Sequence, residues 1–155
     1  MAAELTVGDK APAFSLPDQN GETVSLKSLK GKQVVLYFYP KDDTPGCTRE
    51  ACDFRDSITP IGKADAVVLG VSMDDADSHN KFITKYGLPF SLLCDEDGTV
   101  SKAYGVYKKK NMYGRTYWGI ERSTFVIDGA GRLKAIFRKV KVDGHVAEVQ
   151  AVLKG

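Results

Sequence analysis

Residues 34–39, Val-Val-Leu-Tyr-Phe-Tyr, are apolar at every position and rich in β-branched and aromatic side chains. A run of that length and kind predicts a strand covered on both faces, in the middle of a sheet. Pro40 ends it, residues 41–43 form a polar loop, and Thr44-Pro45 reads as a helix N-cap followed by proline at the first helical position. Along that helix Cys47, Ala51, Phe54 and Ile58 recur at steps of four, three and four, which is one face of an α-helix, until Thr59-Pro60 ends it. Cys47 therefore falls in the first turn, on the inward stripe, at the mouth of a pocket. Cys52 lies five residues on and well around the helix.

Shorter alternating runs at 14–16 and 23–26 flank a loop containing Asn20-Gly21, a hairpin signal, and 28–31 reads as a helical turn closed by Gly31. Residues 66–71 form a second buried strand. Residues 74–86 form an amphipathic helix with Ala76, His79, Ile83 and Tyr86 on one face and Gly87 as its stop. A short strand at 90–94 and a short helix at 100–104 follow. Residues 104–119, aromatic and basic, read as a loop or irregular hairpin. Strands at 123–127 and 133–140 flank the turn Asp128-Gly129-Ala130-Gly131, and 145–154 is a helix with Val146, Val149 and Leu153 inward. Strands separated by helices pair in parallel, and the late hairpin adds an antiparallel edge. The expected architecture is an α/β three-layer sandwich, with a mixed central sheet, helices on both faces and an N-terminal hairpin. A cysteine at the start of a helix that follows a central strand is, by analogy, the arrangement of thioredoxin-like folds.

Composition narrows the function classes. At 155 residues the chain reads as one domain, 1–155. Its formal net charge of +2, with both signs interspersed, argues against a dedicated nucleic-acid binder. No apolar run reaches membrane-span length, and the N-terminus carries neither a signal-peptide core nor a transit segment. A cytoplasmic protein is expected, and there closely spaced cysteines are more often redox-active or metal-binding than structural.

A thiol at the positive end of a helix is favoured as thiolate, the form that reacts. Thr44 can donate a hydrogen bond to it. Arg49 is near in sequence, and Arg122, just before the strand at 123–127, can reach the same end of the sheet. Three readings stand on the residues alone. The cysteines are small buried hydrophobes; or they bind zinc with Cys94, His79 and His145, which form no recognisable second pair; or Cys47 is a nucleophile whose oxidised form a second thiol traps. Glu50 either holds one of the arginines or is an exposed helix carboxylate. Cys94 reads as a passive buried thiol and the run Lys108-Lys109-Lys110 as a solvated loop; Tyr113, Tyr117 and Trp118 either rim the pocket or receive a reductant, or pack at the base of that loop, the reading favoured here.

The segment Pro40-Lys-Asp-Asp-Thr44-Pro-Gly-Cys47-Thr-Arg-Glu-Ala-Cys52 resembles the active-site loop of the peroxiredoxins, in particular the bacterioferritin comigratory protein or peroxiredoxin Q group. Residues 113–128, YGRTYWGIERSTFVID, resemble the group's second motif and carry its arginine at Arg122. The similarity runs from Gly8-Asp9-Lys10-Ala11-Pro12 to the last helix. It implies a thiol peroxidase in which Cys47 attacks the peroxide and becomes a sulfenic acid. Thr44 and Arg122 would orient the peroxide and stabilise the developing charge, and Pro40 would shield the site. Cys52 would condense with Cys47 to an intramolecular disulfide, which thioredoxin or a similar dithiol reduces. The resemblance implies no metal, haem or flavin, and a monomer is expected. A thioredoxin-like disulfide oxidoreductase is the alternative; reductases on this fold place two residues between their cysteines, where this chain has four.

Overall fold

The computed structural model describes residues 4–155. Its centre is a five-stranded mixed sheet in the order β5-β4-β3-β8-β9. Strand β3 (Gln33–Phe38) pairs in parallel with β4 (Ala66–Ser72), which pairs in parallel with β5 (Ser91–Cys94). On its other side β3 pairs antiparallel with β8 (Ser123–Ile127), and β8 with β9 (Leu133–Phe137). As expected for a central strand, Val34 to Phe38 are buried. Val35 and Tyr37 face one apolar cluster while Val34, Leu36 and Phe38 face another, the two-residue alternation of a strand covered on both sides.

The two faces are covered unequally. On one lie α1 (Pro45–Asp56), α2 (Ile58–Lys63), α3 (Ala76–Tyr86) and α5 (His145–Lys154), through Phe54, Ile61, Phe82 and Val149. On the other lie the short α4 (Thr99–Ala103) and the N-terminal hairpin β1 (Ser15–Pro17) and β2 (Thr23–Ser25), through Val100, Phe14 and Leu16. The three-layer expectation holds, with a hairpin doing much of the work of helices on the second face.

Three boundaries differ from the sequence pattern. Thr59-Pro60 does not end the first helix. The break comes at Ser57, and Pro60 sits in the first turn of α2, where its missing N–H has no intrahelical partner to lose. The last strand stops at Phe137, and soon after it Lys139 takes a left-handed φ of 49°, which an extended strand cannot hold. Residues 104–119 contain a regular antiparallel hairpin, β6 (Tyr107–Met112) and β7 (Arg115–Ile120), joined by Tyr113-Gly114 with φ of 52° and 77°. Positive φ at both central residues suits a two-residue turn. The polar run on β6 hid it, because this hairpin stands apart from the main sheet and leaves most of its side chains exposed.

Candidate active site

The site is assembled where β3 ends and α1 begins. Pro40, exposed, leaves the strand, and the loop turns through Asp43 with a left-handed φ of 56°. Thr44 is the N-cap of α1, with the extended backbone such a residue adopts, and Pro45 follows as the first helical residue. The Thr44 hydroxyl does not cap the helix: it donates to the Lys41 carbonyl at 2.8 Å, closing the loop on itself.

Cys47 lies in the first turn and is 1% exposed. Its Sγ accepts a hydrogen bond from Arg122 Nη2 at 3.3 Å, while Nη1 of the same guanidinium donates to Glu50 Oε1 at 2.7 Å. One planar fork thus grips the thiol and the carboxylate that face it from successive turns of α1. Gly46 makes room for it, since a Cβ there would stand 3.0 Å from Arg122 Nη2. Cys52, on the same helix, is half-buried, and all three cysteines are free thiols.

Glu50 is fully buried, so the exposed-carboxylate reading is wrong. Its second oxygen has no hydrogen-bond partner, and burial pushes its pKa up to about 7 against the pull of Arg122. For Arg122 the field of Glu50 and Cys47 outweighs the cost of burial, so its pKa is raised and its charge is secure. Arg49 instead points away to pair with Asp143 on an exposed surface. Lys110 is half-buried rather than solvated. Burial and the charge of Arg122 lower its pKa, which places it beside the site.

The remaining candidates lie apart. Cys94 is buried, with its thiol pushed up to about 11 by burial, as a passive thiol would be. His145 is buried against Thr124 Oγ1 at 2.8 Å, and burial drops its pKa to about 4. Tyr113, Tyr117 and Trp118 do not pack at a loop base but are 98%, 40% and 58% exposed on the β6–β7 hairpin. A His–carboxylate cluster around Asp42 and His79, beneath the loop, has no signal in the residue pattern because its members come from separate elements.

A central strand that hands a buried thiol to a helix start, where an arginine holds it, is the framework of a thioredoxin-fold thiol protein. The AhpC/TSA family model matches residues 7–136. Peroxiredoxin Bcp of Bacillus subtilis is 53% identical over 150 residues, covering 97% of this chain and 96% of that protein. Among solved structures, Xanthomonas campestris peroxiredoxin Q superposes with a TM-score of 0.87 at 45% identity, covering 91% of this chain and 89% of that one. A cysteine mutant of Xylella fastidiosa PrxQ gives 0.92 at 38% identity, covering 99% and 98%. The chain belongs to the AhpC/TSA family, and within it to the peroxiredoxins of the Bcp and peroxiredoxin Q group.

Proposed function

We propose that the chain is a thiol peroxidase that reduces hydrogen peroxide and organic hydroperoxides through Cys47. The observation that carries this reading is the buried Cys47 Sγ within 3.3 Å of a guanidinium fixed by Glu50. The Cys47 thiolate attacks the terminal peroxide oxygen. The O–O bond breaks, the departing oxygen takes a proton to leave as alcohol or water, and Cys47 becomes a sulfenic acid. Arg122 stabilises charge on the departing oxygen. The Thr44 hydroxyl, whose proton is committed to Lys41, offers its oxygen as acceptor to the peroxide O–H. Pro40 keeps bulk water from the approach.

Cys52 then attacks the sulfenic sulfur and expels water, giving a Cys47–Cys52 disulfide. Thioredoxin or a similar dithiol returns it to two thiols and is itself oxidised to a disulfide. We place the protein as a single-domain monomer in the cytoplasm, a reducing compartment where that dithiol is available. An alkyl peroxide reduction activity is attributed to the Xanthomonas campestris bacterioferritin comigratory protein, which is 44% identical to this chain. A disulfide reductase would need its attacking thiol open to a protein disulfide, whereas a thiol 1% exposed admits only a small oxidant.

The test is stopped-flow consumption of a peroxide panel. Cys47→Ser should abolish consumption. Cys52→Ser should still form one equivalent of sulfenic acid and fail to cycle with thioredoxin. Normal turnover of Cys52→Ser would assign the resolving thiol elsewhere.

A further inference from the structure

The loop that carries Thr44 is held from below by a buried cluster outside the reacting groups. Asp42 is 7% exposed and its carboxylate meets three groups: Tyr39 Oη at 2.5 Å on Oδ1, and Ser78 Oγ at 2.8 Å and His79 Nδ1 at 2.6 Å on Oδ2. The Asp42 backbone N–H donates to Asp74 Oδ2 at 2.9 Å, and Ser72 Oγ donates to the same oxygen at 2.6 Å. The neighbouring Asp43, in its left-handed conformation, is tied to α3 by Lys85 Nζ at 2.8 Å and Tyr86 Oη at 2.9 Å.

His79 is 0% exposed, and both of its ring nitrogens face acceptors. Nε2 lies 2.9 Å from the Leu93 carbonyl, which can only accept, so Nε2 carries a proton. Nδ1 faces a carboxylate oxygen that already accepts from Ser78, so a second proton must lie along that 2.6 Å line. The direct contact leaves no space for a metal ion between them, although Asp42, Asp74 and His79 converge within 4.8 Å. The titratable groups that face the ring are Asp42 and Tyr39 from the end of β3 and its loop and Asp74 after β4; β5 offers the Leu93 carbonyl, with Cys94 beside it. Without the ring's charge, two carboxylates would confront each other beneath the loop.

We propose that Asp42 and protonated His79 are a positioning pair, which clamps the loop 40–44 to α3 and so holds Thr44 and the first turn of α1 where Cys47 meets peroxide. Burial opposes the charge on His79, but the hydrogen bond and field of Asp42 outweigh it and raise its pKa above 6.5. A raised histidine pKa makes the clamp complete below about pH 6.5 and lost as pH climbs through the folded-state value. The proposal rests on Cys47 being the peroxide-reactive thiol. Loss of peroxide consumption in Cys47→Ser, with His79 intact, tests that reading separately.

Two measurements decide the proposal. Nitrogen-15 NMR of the full reduced chain at about pH 6.5 should show both His79 ring nitrogens protonated, and a neutral ring there would overturn it. Stopped-flow oxidation of His79→Asn, which keeps a donor near Nδ1 but no charge, should be about tenfold slower than wild type at the same pH. The deficit should close to within about twofold above the measured His79 titration, because the wild type has then lost the charge too. A merely structural histidine would give one deficit at every pH, and that result, or wild-type rates at about pH 6.5, would refute the pair. Asp42→Asn approaches the clamp from the other side and guards against a His79 variant that does not fold. It should lower the His79 titration and reproduce the pH-dependent loss, and an unmoved His79 titration would count against the pair.

Discussion

At the residue scale, the proposed chemistry converges on one guanidinium. Arg122 contacts the thiol and the carboxylate together, so its loss strands both. Arg122→Ala should slow the first oxidation by about 100-fold, the order found when a fixed donor to a developing charge is removed. Lysine should restore only part, because a single ammonium cannot reproduce the two-pronged contact. Glu50 contributes a different signature. Its folded-state pKa of about 7 lies above the ordinary 4.5, so the protonated form favours the fold, and that contribution is lost as pH rises from about 4.5 through about 7. Relative to Glu50→Gln, the wild type should lose on the order of 3 kcal/mol across this window, read by urea unfolding at a series of pH values. Gly46→Ala separates helix from site. Alanine is the better helix former, yet its Cβ would press on Arg122 Nη2. The rate of peroxide consumption should fall severalfold with no loss of unfolding free energy.

At the scale of the element, the proposed Cys47–Cys52 disulfide would give α1 two incompatible tasks. It is an unbroken helix from Pro45 to Asp56 with both thiols free, which sets Cys47 against Arg122. Five residues along an ideal α-helix separate two Cα atoms by roughly 8.6 Å and turn the side chains about 140° apart. A disulfide needs about 4.4–6.8 Å with the side chains facing. The segment from Thr44 to about Phe54 must therefore unwind to close the bond, and unwinding removes the helix start from Cys47. Hydrogen exchange compared between reduced and oxidised protein should show protection stripped from residues 44–54 while β3 stays protected. An intact helix in a fully oxidised Cys47–Cys52 protein would contradict this. The neighbouring ties, Asp43 to Lys85 and Tyr86 and Arg55 Nη1 to the Tyr86 carbonyl at 2.7 Å, fasten the loop before α1 and the last turn of α1 to α3, so the exchange change should stay between them.

At the scale of the whole molecule, the sheet is a rigid floor on which a local change can occur. Tyr37 stacks on Phe54 with ring centroids 4.8 Å apart and runs over Gly70 of the adjacent strand, where a Cβ would stand 2.9 Å from Tyr37 and 2.7 Å from Leu92. Gly70→Ala should cost about 1–3 kcal/mol by overpacking, visible as a lowered urea midpoint. The run at 34–39, the proline after it, the N-cap pair Thr44-Pro45 and the helical spacing of Cys47, Ala51 and Phe54 were enough by themselves to specify a buried strand feeding a helix with a thiol in its first turn. Those are short-range rules of backbone geometry and periodicity, which the chain carries wherever it is placed. What only the tertiary structure decided involves partners far apart in sequence. The resemblance had already put Arg122 at the site, but its grip on Glu50 as well as Cys47, and the turn of the nearer Arg49 to Asp143, came from the fold. Asp42 met His79 across 37 positions, and Tyr113 and Trp118 were left exposed because no layer covers their hairpin. Pairing and burial depend on which faces the folded layers bring together, and periodicity marks an apolar face without naming its partner.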